Sequence, residues 1–277
     1  MDTQPFIKMH GIGNDFVVID ARQQGLTFSR DHVRAISDRH TGIGCDQLLI
    51  IEKPCDEHAD IFMRIYNTDG SESEACGNGT RCVASLIMAQ NNAAHCIIET
   101  LAGLLDCEIA ENGLVSVDMG PANLDWRDMP LSKAMDTLHL GIDSGPLQDP
   151  VGVNMGNPHA VFFVADAQAV DLTVHGPICE QHKLFPARAN IGVARIISED
   201  EIRLRVWERG VGETLACGSG ACAAVVAASR RGLINRKASV HLIGGTLIVE
   251  WMPDNHVMMS GPVTTSFSGV IDPALLA

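Results

Sequence analysis

Ala75-Cys-Gly-Asn-Gly-Thr-Arg-Cys82 and Ala216-Cys-Gly-Ser-Gly-Ala-Cys222 carry the same Ala-Cys-Gly-x-Gly run in one chain. Setting Cys76 on Cys217 gives an offset of 141 (217 − 76), which also lays Met63-Arg-Ile-Tyr66 on Leu204-Arg-Val-Trp207 and Glu72 on Glu213. Six of the twenty residues in that window are identical, against about one expected for unrelated sequences of ordinary composition. The chain therefore reads as two copies of one unit, each supplying one Cys-Gly-x-Gly.

Gly, Asn and Ser after each Cys suit a tight entry turn, and helix formers follow, which places each Cys at a helix start. Cys82-Val-Ala-Ser-Leu-Ile-Met-Ala89 and Ala221-Cys-Ala-Ala-Val-Val-Ala-Ala228 are apolar on nearly every side, the pattern of helices buried all round. Both are shorter than the roughly 20 apolar residues that span a bilayer, and the second ends in Ser229-Arg-Arg-Gly232, a basic last turn with a glycine stop. A thiol at a helix N-terminus feels the positive end of the dipole, which lowers its pKa. The N–H groups of Gly77, Asn78, Gly218 and Ser219 form two cradles suited to a carboxylate. Two thiols and two cradles related by a pseudo-twofold axis suit a proton moved across one carbon. Cys is also among the most buried residue types, and Cys45, Cys55, Cys82, Cys96, Cys107, Cys179 and Cys222 lack the helix-start context and read as core or inert thiols. No Cys-x-x-Cys is present, and at about 100° per residue Cys76 and Cys82 diverge, as do Cys217 and Cys222, so no metal site is expected.

The repeat continues outward from this pair. Asn14, in Lys8-Met-His-Gly-Ile-Gly-Asn-Asp-Phe16, matches Asn157 in Val153-Asn-Met-Gly-Asn-Pro-His159 at an offset of 143 (157 − 14), and Gln47 matches Asn190 at the same offset. These are candidate polar contacts at strand starts, although a lone Asn before a strand is commonly a turn residue. The symmetry breaks where Asn67 stands opposite Glu208-Arg209 and Phe16 opposite His159, so the second copy carries the ionisable groups. An Arg such as Arg209 can hold a carboxylate by two parallel bonds. Arg30 to His40 reads as a helix, Phe62–Tyr66 and Ile202–Trp207 alternate as half-buried strands, and each copy closes in a hairpin. Pro121 to Pro150, rich in Pro, Asp and Met, reads as the connection between copies. A net charge of −14 at pH 7 argues against nucleic acid or an anionic membrane as partner. The N-terminus has no basic run followed by an apolar one, and nine cysteines without framework spacing fit a reducing cytoplasm.

With His10-Gly-Ile-Gly-Asn-Asp-Phe16, Cys76-Gly-Asn-Gly-Thr-Arg-Cys82, Gly156-Asn-Pro-His159, Glu208-Arg-Gly-Val-Gly-Glu213 and Cys217-Gly-Ser-Gly220 in the family's order, the chain resembles the diaminopimelate epimerases from about residue 6 to about residue 270. The resemblance implies an α/β (α+β) fold of two pseudo-symmetric domains, each a barrel-like, mostly antiparallel sheet around a central buried helix. The expected division is 1–119 plus 264–277, carrying Cys76, and 120–263, carrying Cys217. It implies a cofactor-independent, cytoplasmic epimerase that interconverts LL- and meso-diaminopimelate for lysine and peptidoglycan precursors. Carried over by position, Cys76 is the proton donor and Cys217 the acceptor in the LL to meso direction, with His159 and Glu208 tuning them. Asn14, Gln47, Asn67, Asn157, Asn190, Glu208 and Arg209 hold the substrate, and the backbone at Gly77, Asn78, Gly218 and Ser219 takes the reacting carboxylate. A homodimer is expected, with Phe267 at the contact where the family has Tyr. Cys45 stands where the family often has an aromatic residue. The alternative activity is a proline or hydroxyproline racemase-type epimerisation, whose substrate has no distal amino-acid end.

Overall fold

β-Branched runs go into sheet in each half and a run of small apolar residues goes into one long helix. The computed structural model describes residues 4–23, 26–110 and 112–276. The chain divides into two compact units, one running to Val117 and resuming at Gly261, the other Asp118–Ser260.

In the first unit the strand Asn14–Asp20 pairs parallel with Gln47–Glu52, Phe16 opposite Gln47. Gln47–Glu52 then pairs antiparallel with Ile61–Asn67, which lies parallel to His95–Thr100, Ile61 opposite Ile98. A parallel neighbour needs a crossover, and the two crossovers here are helices α1 (Arg30–Ser37) and α2 (Gly77–Asn91). The second unit repeats this arrangement. Pro158–Phe163 pairs parallel with Asn190–Ser198, His159 opposite Asn190, and Glu201–Glu208 lies parallel to Lys237–Leu242, Ile202 opposite Val240. The crossovers are α3 (Leu172–Glu180) and α4 (Gly218–Arg230). Each unit adds a hairpin, His95–Thr100 with Gly103–Ile109 and Lys237–Leu242 with Gly245–Trp251.

Helix α4 is buried as its composition requires, whereas in α2, expected to be buried all round over Cys82–Ala89, Ser85 and Leu86 are half-buried and Ala89 is exposed. From Gly77 to Ala84 every residue of α2 is buried, and from Gly220 to Ala228 every residue of α4 is buried, with Ala and Val letting the strands approach. Among the described residues no helix is long and apolar enough to cross a membrane.

Three local expectations are corrected. Helix α1 stops at Ser37 rather than His40, because the Asp38 carboxylate accepts the N–H groups of His40 (2.8 Å) and Thr41 (2.6 Å) and turns the chain. The stretch from Pro121 to Pro150 is more than a connection: Met129, Leu131, Leu140, Ile142 and Leu147 are buried in the second unit's core. Helix α3 is absent from the sequence reading because Leu172-Thr-Val-His-Gly-Pro-Ile-Cys-Glu180 contains two helix breakers. Its glycine is a packing requirement, since a Cβ on Gly176 would lie 2.5 Å from the Trp207 ring.

The C-terminal apolar residues behave unequally. Ile271 is buried and Leu275 and Leu276 pack on the first unit's core, whereas Phe267 and Val270 remain exposed, Phe267 with its ring edge-on to Phe6 at 6.0 Å.

Candidate active site

Strand registers bring the polar residues of each half to one end of its sheet, beside the N-terminus of its central helix. In the first half Gln47 faces Asn67 across the ladder and its Nε2 donates to Asn67 Oδ1 at 3.0 Å, while Asn67 Nδ2 donates to Ser71 Oγ at 3.1 Å. Cys76 is the N-cap of α2 in extended conformation, its Sγ accepting from Gly79 N–H at 3.4 Å. Its thiol lies 3.9 Å from Asn14 Oδ1, and Asn78 Nδ2 donates to the same oxygen at 3.2 Å. Thr80 N–H is turned back on the Cys76 carbonyl (2.8 Å), so Gly77 and Asn78 head the helix.

In the second half Cys217 is the N-cap of α4, also extended, with Sγ 3.7 Å from Ser219 Oγ. Burial pushes its thiol well above the usual range, the Glu208 carboxylate adds to this, and the Gly220 N–H and Ser219 hydroxyl oppose it. The helix-dipole expectation of a lowered pKa is therefore overturned for Cys217, because desolvation of a buried thiolate outweighs the few tenths to one kcal/mol of a helix end. Glu208 is held in place by Thr214, whose hydroxyl donates to its Oε1 at 2.5 Å.

His159 Nε2 lies 2.8 Å from Asn157 Oδ1, an atom that only accepts, so the proton sits on Nε2. Ser219 Oγ is 3.1 Å from the same nitrogen, and Nδ1 has no partner among the described residues. Burial, helped by the charge of Arg209, lowers the His159 pKa to about 3, so the imidazole is neutral. The unfolded chain binds this proton near the ordinary value of 6.5 and the folded one does not. Stability is therefore lost as pH falls from there toward the folded value. His159→Gln is expected to narrow the gap between Tm at about pH 7 and about pH 5. An unchanged gap on thermal denaturation assigns the acid sensitivity elsewhere.

Asn190 is buried, its Nδ2 donating to the Pro158 carbonyl (3.2 Å) and its Oδ1 accepting from Arg209 N–H (2.9 Å). This amide thus ties the Arg209 backbone to the strand end at Pro158. The exposed Arg209 guanidinium donates through Nη1 to the Ala187 carbonyl at 3.1 Å. Glu180, unnoticed in the sequence because α3 was, supports the same turn by accepting from Gly210 N–H (3.0 Å) and Trp207 Nε1 (2.8 Å). Thr214 was missed for a different reason: hydroxyls at strand ends are common and nothing local marks one.

The third residue after each Cys is a glycine lying close against the sulfur. A Cβ on Gly220 would lie 3.1 Å from Cys217 Sγ and 3.1 Å from Val206 Cγ2, and one on Gly79 would lie 3.5 Å from Cys76 Sγ and 3.1 Å from Leu49 Cδ1. Gly220→Ala should move the sulfur by a few tenths of an ångström and lower kcat about tenfold with little change in far-UV circular dichroism. Wild-type kcat would show that the sulfur's position has slack. Of the remaining thiols Cys45, Cys82, Cys96, Cys107, Cys179 and Cys222 are buried, burial pushing Cys82 up to about 12 and Cys179 up to about 11, whereas Cys55 is exposed.

The diaminopimelate epimerase family model matches residues 6–124 and 151–266. A diaminopimelate epimerase of Rhodospirillum centenum is 57% identical over 271 residues, covering 98% of this chain and 93% of that protein. One of Acidiphilium cryptum is 54% identical over 274 residues, covering 99% and 98%. Among solved structures, a hydroxyproline epimerase from Agrobacterium vitis superposes with a TM-score of 0.69 at 14% identity, covering 98% of this chain and 94% of that one, a likeness of fold alone.

Proposed function

Because the chain belongs to the diaminopimelate epimerase family, we propose that it interconverts LL- and meso-2,6-diaminopimelate by proton transfer between two thiols, without a cofactor. The observation that carries the mechanism is the paired N-cap thiols: Cys76 beside the Asn14 carbonyl and Cys217 beside the Glu208 carboxylate. In the LL to meso direction Cys217 first gives its proton to Glu208. The resulting thiolate takes the α-hydrogen, leaving the electron pair on carbon and a new S–H on Cys217. Cys76 then delivers its S–H proton to the opposite face of that carbon and is left as thiolate. Net transfer is one proton off and one on, and a proton returned from Glu208 through solvent to Cys76 resets the pair.

The α-hydrogen of an amino acid is far less acidic than a thiol, so the carbanion needs preorganised dipoles in a dry site. The N–H groups of Gly77, Asn78, Gly218 and Ser219 are assigned to the reacting carboxylate, where two helix ends offset developing charge. Neutral His159 offers the Nδ1 lone pair as acceptor near the reacting end. Asn14, Gln47, Asn67, Asn157, Asn190 and Arg209 are assigned to positioning, with Arg209 on the distal carboxylate.

Each copy is taken as one domain, 1–119 with 264–277 and 120–263, contributing one thiol. The protein is proposed to be cytoplasmic, to serve lysine and peptidoglycan precursor synthesis, and to form a homodimer through the face bearing Phe267, a residue that is exposed in the single chain. A single species near 29.7 kDa in sedimentation at micromolar concentration removes the dimer.

The test is the reduced protein with LL-diaminopimelate and no added cofactor, reading formation of the meso isomer and deuterium uptake at the α-carbon from D2O. No turnover with diaminopimelate but inversion of L-proline transfers the assignment to the racemase-type reaction.

A further inference from the structure

Beside Cys76 two side-chain amides stand in series between a buried cation and a carboxylate. Arg81, fully buried, donates through Nη2 to Asn78 Oδ1 at 2.9 Å, Asn78 Nδ2 donates to Asn14 Oδ1 at 3.2 Å, and Asn14 Nδ2 donates to Asp46 Oδ2 at 2.9 Å. Asp46 is itself held, its Oδ1 accepting from Arg39 Nη2 at 2.7 Å and its Oδ2 from Asp15 N–H at 3.1 Å. Every bond in the chain runs the same way, from guanidinium to carboxylate, so each polarises the next.

The direction of this chain decides which atom of Asn14 meets the thiol. Turning the Asn14 amide over would set its oxygen against the Asp46 carboxylate and its NH2 against the NH2 of Asn78, leaving both contacts repulsive. Its carbonyl oxygen therefore faces Cys76 Sγ at 3.9 Å. An oxygen acceptor favours S–H, whereas an N–H donor there would favour S⁻. The second half lacks this device: at the repeat offsets Ala189 stands in place of Asp46 and Cys222 in place of Arg81. His159 takes the carbonyl of Asn157 instead.

We propose that Asp46 is a positioning residue for Cys76, acting with Arg81 at the other end of the amide chain to lock Asn14 with its oxygen toward the sulfur, where it accepts from the S–H and so favours the proton on Cys76 against the opposing Gly79 N–H. The use of that proton in inversion rests on the epimerase reading; the orientation of Asn14 does not. Asp46 is exposed and its substitution removes no core contact.

Asp46→Ala frees Asn14 to turn its NH2 toward the sulfur, and Asp46→Asn keeps an acceptor oxygen in place. On the full-length reduced protein without substrate, iodoacetamide labelling of each cysteine is followed by peptide mass spectrometry at one fixed pH, with exposed Cys55 as internal reference. Asp46→Ala is expected to label Cys76 about fivefold faster relative to Cys55, and Asp46→Asn at close to the wild-type rate. In the epimerase assay Asp46→Ala is expected to lower kcat about tenfold with KM changed less than about twofold. Wild-type labelling of Cys76 in Asp46→Ala, or equal acceleration in Asp46→Asn, overturns the positioning role. Absence of epimerisation by the wild-type protein overturns the functional reading and leaves the labelling result standing.

Discussion

Cys76→Ala and Cys217→Ala are each expected to lower kcat by about a thousandfold or more, because the missing thiol is one of two groups that must act on opposite faces of the same carbon. The fold should survive both. Cys76→Ala gives up the contacts of the sulfur with Gly79 N–H (3.4 Å) and Asn14 Oδ1 (3.9 Å), and Cys217→Ala the 3.7 Å contact with Ser219 Oγ, none of them a bond on which a strand or helix depends. The cost should be about 1 kcal/mol, close to a lost N-cap or a small vacated volume. The two variants should differ in exchange. Starting from the LL isomer, Cys76→Ala retains Cys217 with its base Glu208, so it should still wash deuterium into the α-position on the original face without inverting it. Cys217→Ala should neither exchange nor invert from that isomer. Retention of more than a few per cent of wild-type kcat by either variant sinks the two-thiol scheme.

The second large effect is expected at Arg209. A bidentate bond to a distal carboxylate is charge-assisted, and losing it should cost about 1.5–3 kcal/mol, or roughly ten- to two-hundredfold in kcat/KM. For Arg209→Met the loss should fall mainly on KM, since contacts far from the reacting carbon hold substrate and transition state alike. Arg209→Lys keeps the charge but loses the planar fork, so it should recover only part of the affinity. Because the backbone of the 208–210 turn is held by Asn190 and Glu180 rather than by the guanidinium, neither substitution should displace Glu208. Unchanged KM in Arg209→Met removes this residue from the substrate site.

Much of this protein is determined in the sequence alone because it is written twice. The repeat offsets place Phe16 on His159 and Gln47 on Asn190, and the strand ladders put Phe16 opposite Gln47 and His159 opposite Asn190. Periodicity and composition likewise locate the two buried helices and their cysteine caps, since a run of small apolar residues after Cys-Gly-x-Gly has few other outcomes. Tertiary structure decides what depends on neighbours distant in sequence. Helix α3 forms despite two breakers, its Gly176 fitting against the Trp207 ring where a side chain would not, and α3 brings Glu180 to the Glu208–Arg209 turn. Burial reverses the pKa expected for Cys217 at a helix start, since desolvation is set by everything packed around the sulfur and the dipole by one helix alone. The orientation of Asn14 is likewise fixed by Asp46, 32 residues away in sequence, and by Arg81 through Asn78. A short motif shows which groups are present at the thiol, but only the fold determines which of their atoms face it.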